Sequence, residues 1–342
     1  MKKTILYLPE RSGSKPNACS YLRMIAPLSA LARLEKIKIQ ELTDLSQLFK
    51  PEVIALTTNR TAFLDFPGLK NLIQENFLSK LLIHWDTDDF SKLSHQTALE
   101  REYLIKLSTA QDIIENTKSN LTCSTIFIKQ NANSPEKFSV VRNSVPADNW
   151  QNKNLRVENS LLFYGHETYL EEIVRLSESF SEIGDRELKK MGISIEVVGS
   201  FQVKLHPVFT LTTIPGGSHY YPHFATWMAQ RSKHIAGLSL IDESILNKGK
   251  SDLKFLEYSA LGMATIAYKH RTFDENEGVY SRIGFIDREN PARSLCELLT
   301  DPNKLKQQGL DNQNWVINNR SLGRDTGDML NYYRNLFHKL LT

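Results

Sequence analysis

The chain is poor in cysteine, has no long apolar run and carries almost no excess charge, and each shortage removes a class of protein. Cysteine occurs three times in 342 residues, at Cys19, Cys123 and Cys296. They are far apart, odd in number and in no Cys-x-x-Cys or metal-like spacing, so neither a disulfide scaffold nor a zinc ribbon is expected, and a reducing compartment fits best. No stretch reaches the roughly 18 apolar residues that span a bilayer. The apolar run ILYL at residues 5–8 is too short for the core of a signal peptide, which makes the expected location cytoplasmic. Basic and acidic residues, 42 against 39, leave a net charge of +3, too balanced for nucleic acid to be the main partner. Gly-x-Ser-x-Gly and Cys/His protease signatures are missing as well.

What is present is globular in composition, 41% apolar and 24% charged, and long enough for two α/β domains. An apolar strand at 4–8, a polar loop at 9–17 and a helix at 21–34 open the chain, with Leu22, Ile25, Leu28 and Leu31 at helical spacing. Strand, polar loop, helix is the first unit of a doubly wound sheet, in which ligands sit beyond the C-terminal strand ends. Ser12 and Asn17 in that loop face either a hydroxylated or phosphorylated ligand or only solvent. Strands at 37–42, 53–57 and 81–85 follow, and the last leads into His84-Trp85-Asp86-Thr87-Asp88-Asp89. His84, Asp86 and Asp88 are candidate acid/base groups by their place at a strand end. The run lacks the glycine and closing Glu of a calcium loop, so capping and cleft lining are expected there rather than a metal. A helix at 100–107, a strand at 112–116 and a helix at 121–132 complete the first half, and a polar linker runs over 147–159.

The second half restarts with the strand 160–164, followed by Gly165-His166 and a long helix to about 188. Gly165 permits close backbone approach to a ligand, and the helix N-terminus beyond it favours phosphate. The strand at 195–198 ends at Gly199, and further strands are expected at 210–214, 235–240 and 284–286, with helices at 221–231, 291–299, 303–318 and 329–341. His219 and His223 stand four apart, but Pro222 opens the helix between them and no H-E-x-x-H pattern is formed, so no metal site is expected.

The stretch NKGKSDLKFLEYSALGMATIAYK, residues 247–269, carries the most information. Ser251 is a suitable N-cap, Leu253, Leu256 and Ala260 form a core stripe, Gly262 ends the helix, and 265–268 reads as a buried strand. Lys250, Lys254 and Glu257, at i, i+4 and i+7, share another face. Two cations at a helix N-terminus suit a phosphate, and a carboxylate one turn on suits paired hydroxyls such as a ribose's. On spacing alone the alternative is a solvated face with a Lys254–Glu257 ion pair, worth about 0.2–0.5 kcal/mol.

The run KSDLKFLEYSALGMATIAY resembles the donor-binding segment of GT-B fold glycosyltransferases, family-4-like enzymes in particular, in which K-S-x-x-K-x-x-E-Y-x-A-x-G-x-P-x-I lies under the nucleotide sugar. Lys250, Ser251, Lys254, Glu257, Tyr258, Ala260, Gly262 and Ile266 match. Ala264 replaces the proline, and Gly249 stands where the fuller signature has a further Glu. The run S-Y-L-R-x-x-x-P-L from Ser20 to Leu28 is similar to the family's first-helix region and adds Arg23 to the acceptor-side residues Ser12 and Asn17; Val140 to Val145 is similar to the exit from its first domain.

This resemblance implies an α/β architecture of two Rossmann-like domains facing a cleft. Residues 1–150 would be the acceptor domain, 151–326 the nucleotide-sugar donor domain, and 327–342 a C-terminal helix crossing back to the first. It implies sugar transfer from a nucleotide-diphosphate sugar to a hydroxyl of a glycan, lipid-linked saccharide or protein, in polysaccharide biosynthesis, with no cofactor and no metal. The donor-binding residues would be Gly165, His166, Gly199, Lys250, Ser251, Lys254 and Glu257. An inverting reaction needs a base, for which His84, Asp86 and Asp88 are the candidates; a retaining one, assisted by donor phosphate, does not. The alternatives are a catalytically silent partner subunit of another transferase, to which loss of the Glu at Gly249 points, and a GT-B nucleotide-sugar epimerase or phosphorylase. Peripheral association with the inner face of a membrane belongs to the same set of expectations.

Overall fold

Short runs of Val, Ile and Leu, apolar on both faces, become parallel strands covered on both sides. A computed structural model describes residues 2–89, 98–150, 157–165, 169–231, 233–242, 247–275, 278–322 and 327–341. The chain divides into two units: Met1–Pro146 with Lys248–Ser251 and Arg320–Thr342, and Ala147–Asn247 with Asp252–Asn319.

In the first unit the strands are β1 (Thr4–Leu8), β4 (Lys38–Glu41), β5 (Val53–Asn59), β6 (Leu82–Thr87), β7 (Asn120–Cys123) and β8 (Phe138–Val140). They form one parallel sheet in the order β4-β1-β5-β6-β7-β8. The expected polar loop after β1 folds into a small antiparallel hairpin, β2 (Arg11–Ser12) with β3 (Lys15–Pro16), turned at Gly13 with a φ of 63°. The first helix is not uniform: a π-helical turn, Tyr21–Ile25, precedes the α-helix Ala26–Leu34.

Residues 112–116, expected as a strand, are the last turn of the helix Ala98–Glu115 and the residue beyond it. Leu107, Ala110 and Ile114 are buried at helical spacing, and the adjacent Ile113-Ile114 pair mimics a strand only when read alone. The expected helix 121–132 is instead β7 followed by the short helix Ile126–Gln130, capped by the Thr125 side chain.

One sheet face packs Phe63, Trp85, Leu107 and Ile114; the other packs Met24, Leu28 and Leu31 against Leu330, Tyr333 and Phe337 of the terminal helix Asp328–Leu341. The C-terminal helix thus belongs to the first unit, and its apolar stripe is used in that core. Among the described residues no helix is long and apolar enough to cross a membrane.

The second unit holds β9 (Val157–Tyr164), β10 (Ser194–Val198), β11 (Phe209–Thr212), β12 (His234–Ser239), β13 (Ala264–Ala267) and β14 (Ile283–Phe285), parallel in the order β11-β10-β9-β12-β13-β14. Both sheets are doubly wound, as expected. The strand order reverses between β1 and β5 in one and between β9 and β12 in the other, and the C-terminal ends of such strands form the crevice that takes ligands. Side chains also tie β9, β10 and β12 together: Ser160 Oγ lies 2.8 Å from His234 Nδ1, and His234 Nε2 lies 3.0 Å from Glu196, which accepts from Thr212 at 2.7 Å. The contacts run in the order of a hydrolytic triad, but Ser160 is 4% exposed and no substrate reaches it, so the chain of contacts is a cross-strand tie.

Candidate functional site

The C-terminal ends of β9 and β10 in the second unit open onto a pocket of about 530 Å³ lined by Tyr164, Gly165, Tyr169, Gly199, Ser200, Ile214, His219 and Lys254. Backbone hydrogen bonds to neighbouring strand residues hold both of its glycines. The Gly165 N–H donates to the Val198 carbonyl at 3.1 Å and that of Gly199 to Thr212 at 3.0 Å. A Cβ on Gly199, whose φ is 155°, would stand 2.5 Å from the Gly165 carbonyl oxygen. Gly199→Ala is therefore expected to destabilise the protein by more than about 1 kcal/mol, read as a lower urea midpoint; an unchanged midpoint would show that the loop relaxes freely.

Lys254 is the second residue of the helix Leu253–Ala260. It is 9% exposed, and its ammonium group donates to the Tyr164 carbonyl while lying 3.9 Å from the centroid of the Tyr164 ring, 5.0 Å from that of Tyr169 and 5.3 Å from that of Phe163. A buried cation needs such compensation, and the negative faces of the three rings supply part of it. One turn along, Glu257 is buried and accepts from two tyrosines, Tyr221 at 2.7 Å on Oε1 and Tyr164 on Oε2. Trp150 Nε1 donates to the same Tyr221 hydroxyl at 3.2 Å. Burial pushes the Glu257 carboxyl well above the usual carboxylate range.

The helix begins at Leu253 with Asp252 at the N-cap position, so Ser251 is not its cap. The Ser251 hydroxyl accepts from Asn143 Nδ2 at 2.6 Å, and the segment Lys248–Ser251 belongs to the first unit. Lys250 consequently precedes the helix and does not share a helical face with Lys254 and Glu257. His166 lies outside the described residues. His219 lines the pocket, whereas His223 sits on the helix that starts at Tyr221, so the two histidines share no helix face. Among the described residues no group of three or more His, Cys, Asp or Glu side chains is placed to hold a metal ion.

In the first unit the end of β6 is buried. Asp86 accepts from Arg23 Nη2 at 2.6 Å and Nε at 2.7 Å, and from Thr122 at 2.5 Å. Arg23, 1% exposed and placed there by the π-helical turn, also donates to the Val141 carbonyl at 2.9 Å and to Asn143 Oδ1 at 2.8 Å. Expected at the acceptor side, it lies instead at the centre of a strut that ends on Asn143 and Ser251. Arg320 Nε closes the same junction by donating to the Asn143 carbonyl at 2.7 Å.

His84, next to this strut, has Nε2 3.0 Å from Thr122 Oγ1. Burial, and then the charge of Arg23, lower its pKa from 6.5 to about 3. The unfolded chain therefore binds the proton that the folded chain refuses. The contribution of His84 to stability is complete above pH 6.5 and is lost as the pH falls from 6.5 toward 3. His84→Gln is expected to flatten the fall in stability between about pH 7 and about pH 5, measured as melting temperature against pH; the wild-type slope persisting in the variant would contradict it.

Asp88 pairs with Arg60 at 2.8 Å, and Arg60 reaches Asp89 at 3.0 Å and Glu10 at 3.1 Å. Burial works against ionisation of Asp88, but Arg60 and Arg23, with a hydrogen bond from Cys19, hold its carboxyl below the usual range. Asn17 donates to Glu10 at 2.7 Å while its oxygen caps the N–H of Ser20 at 2.8 Å, and Ser12 is exposed in the hairpin. Sequence reasoning missed Glu10 and Arg60. They follow β1 and β5, the two strands between which the order reverses, and Arg60 has a φ of 46°, a left-handed backbone uncommon outside glycine. The polar residue after each strand end was visible in the sequence; the adjacency of the two strands was not.

No family model matches the chain, and no curated protein matches it in sequence. The fold is that of the GT-B glycosyltransferases. HepE from Anabaena, solved with UDP and glucose, superposes with a TM-score of 0.64 at 9% identity, over 98% of this chain and 100% of that one. Sucrose-phosphate synthase from Thermosynechococcus elongatus does so with 0.62 at 12%, over 99% of each chain. TarM from S. aureus gives 0.56 at 10%, over 84% of this chain, which spans 55% of that structure. At these identities the likeness is one of fold.

Proposed function

We propose that the chain is a glycosyltransferase, akin to the family-4-like enzymes, that moves a sugar from a nucleoside-diphosphate donor to a hydroxyl acceptor, with the pocket at Lys254 holding the donor. One observation carries this reading: Gly165, Gly199 and Lys254, far apart in sequence and singled out there as donor residues, line a single pocket at the ligand-binding edge of a doubly wound sheet. Departure of a nucleoside diphosphate builds negative charge on the leaving oxygen, and a fixed ammonium stabilises it. In this reading residues 151–326 bind the donor and the loops of 1–150 bind the acceptor. The HepE and TarM structures hold UDP, which supports the choice of donor class.

Glu257 serves the pocket from behind by orienting Tyr164; contact with a ribose requires one of its tyrosines to turn away. A glycan, a lipid-linked saccharide or a protein hydroxyl is the acceptor, in polysaccharide assembly at the cytoplasmic side of a membrane. Gly249, in place of an acidic signature residue, favours a second reading, a silent partner subunit of another transferase.

The test is a thermal-shift panel of UDP, GDP, CMP and ADP with their sugar conjugates. A ligand at a hundred times its Kd stabilises by about 2.7 kcal/mol. A rise with one nucleotide, lost in Glu257→Ala, supports the transferase; no rise with any of them rejects it in favour of the silent subunit.

A further inference from the structure

A second pocket, of about 430 Å³, lies in the second unit past the ends of β12, β13 and β14, on the opposite side of the order reversal from the first. Ile241 and Phe285 give it apolar walls, and Asp242, Lys269, Asp287 and Arg288 bring charges of both signs in equal number. Arg288 is held in place: Nε donates to Glu172 at 3.3 Å, Nη2 donates to the other oxygen of the same carboxylate, and Nη2 lies 3.6 Å from Asp242. Tyr268, 2% exposed, lines the pocket too, and its hydroxyl has no hydrogen-bond partner among the described residues. A buried hydroxyl without a partner is rare and costly, and here it belongs to a residue that lines the pocket.

The chemistry of these walls selects a ligand. Balanced charge gives no net attraction for an anion or a cation, so a strongly ionic ligand is not favoured. Carboxylates that accept, the donors of a guanidinium not taken by Glu172 and a phenol hydroxyl without a partner among the described residues suit a ring bearing several neutral hydroxyls, and the apolar walls suit its C–H face. A pocket of this size falls in the range used for small ligands. We propose that this pocket binds a neutral pyranose. The source of that sugar rests on the transferase reading: it is either the group carried by the donor, whose nucleotide occupies the first pocket, or the terminal unit of the acceptor.

Saturation-transfer NMR on the full chain tests this with glucose, galactose and N-acetylglucosamine, free, free in the presence of UDP, and as UDP conjugates, with glucuronic acid as the charged control. Wild type, Tyr268→Phe and Arg288→Gln are compared, and the melting temperature of each variant confirms folding; Tyr268→Phe removes one oxygen and preserves the packing. Ring-proton saturation is expected for a neutral sugar over glucuronic acid, with affinity about five-fold weaker in Tyr268→Phe and no loss of the UDP-induced thermal shift in either variant. Saturation of a free sugar that persists with UDP present assigns the pocket to the acceptor; saturation of the sugar ring only as the UDP conjugate assigns it to the donor. No ring saturation in any form, displacement of a free sugar by UDP alone, or full affinity in both variants overturns the proposal. Sugar binding in a protein that binds no nucleotide would leave this pocket standing while the transferase reading failed.

Discussion

Lys254→Met is expected to weaken nucleotide-diphosphate binding by about one to two orders of magnitude, since hydrogen bonds to charged groups contribute about 1.5–3 kcal/mol. The methionine keeps the length of the side chain and packs favourably against the Phe163, Tyr164 and Tyr169 rings that now surround the ammonium group, so the fold should survive. The loss then reports charge rather than collapse. Titration calorimetry with UDP or the nucleotide chosen by the thermal-shift panel reads it directly. Affinity within two-fold of wild type (about 0.4 kcal/mol) would mean that Lys254 only pins the end of β9 through the Tyr164 carbonyl.

The largest stability effect is expected at Arg23 and Asp86. Removing one partner of a buried ion pair strands the other charge, which costs about 3–5 kcal/mol. Both residues are 1% exposed, and Arg23 connects Asp86 at the end of β6 to Val141 and Asn143. Arg23→Met and Asp86→Asn should each lower the urea midpoint strongly. The double variant Arg23→Met with Asp86→Leu should recover part of the loss, because no charge is then left unpaired. A local catalytic base would behave in the opposite way, losing turnover and keeping stability. A change under about 1 kcal/mol in either single variant would place the pair among screened surface contacts and return Asp86 to the list of candidate bases.

The alternation of strand and helix gave both sheets, because buried parallel strands show as short β-branched runs whatever their neighbours are. The placement of Gly165, Gly199 and Lys254 was legible for a related reason: each stands at a strand end or helix start, positions that local patterning marks. Contacts that depend on strand order were not legible. Glu10 meets Arg60, and Tyr164 and Tyr221 meet Glu257, across pairings that no local spacing encodes. Ser251 shows the limit of local reading. Its sequence neighbours make it a good N-cap, but its hydroxyl is held by Asn143, 108 positions away, and tertiary contact decides the matter. The same competition turned 112–116 from strand to helix, since Ile113 and Ile114 complete a stripe begun at Leu107.

The central claim is that the pocket at Lys254 is the donor site, and the most direct measurement is the electron density of crystals grown with saturating UDP. The account predicts diphosphate density packed against Gly165 and within hydrogen-bonding reach of the Lys254 ammonium group. Well-ordered UDP elsewhere on the molecule, or an empty pocket in crystals whose protein binds UDP in solution, would contradict it.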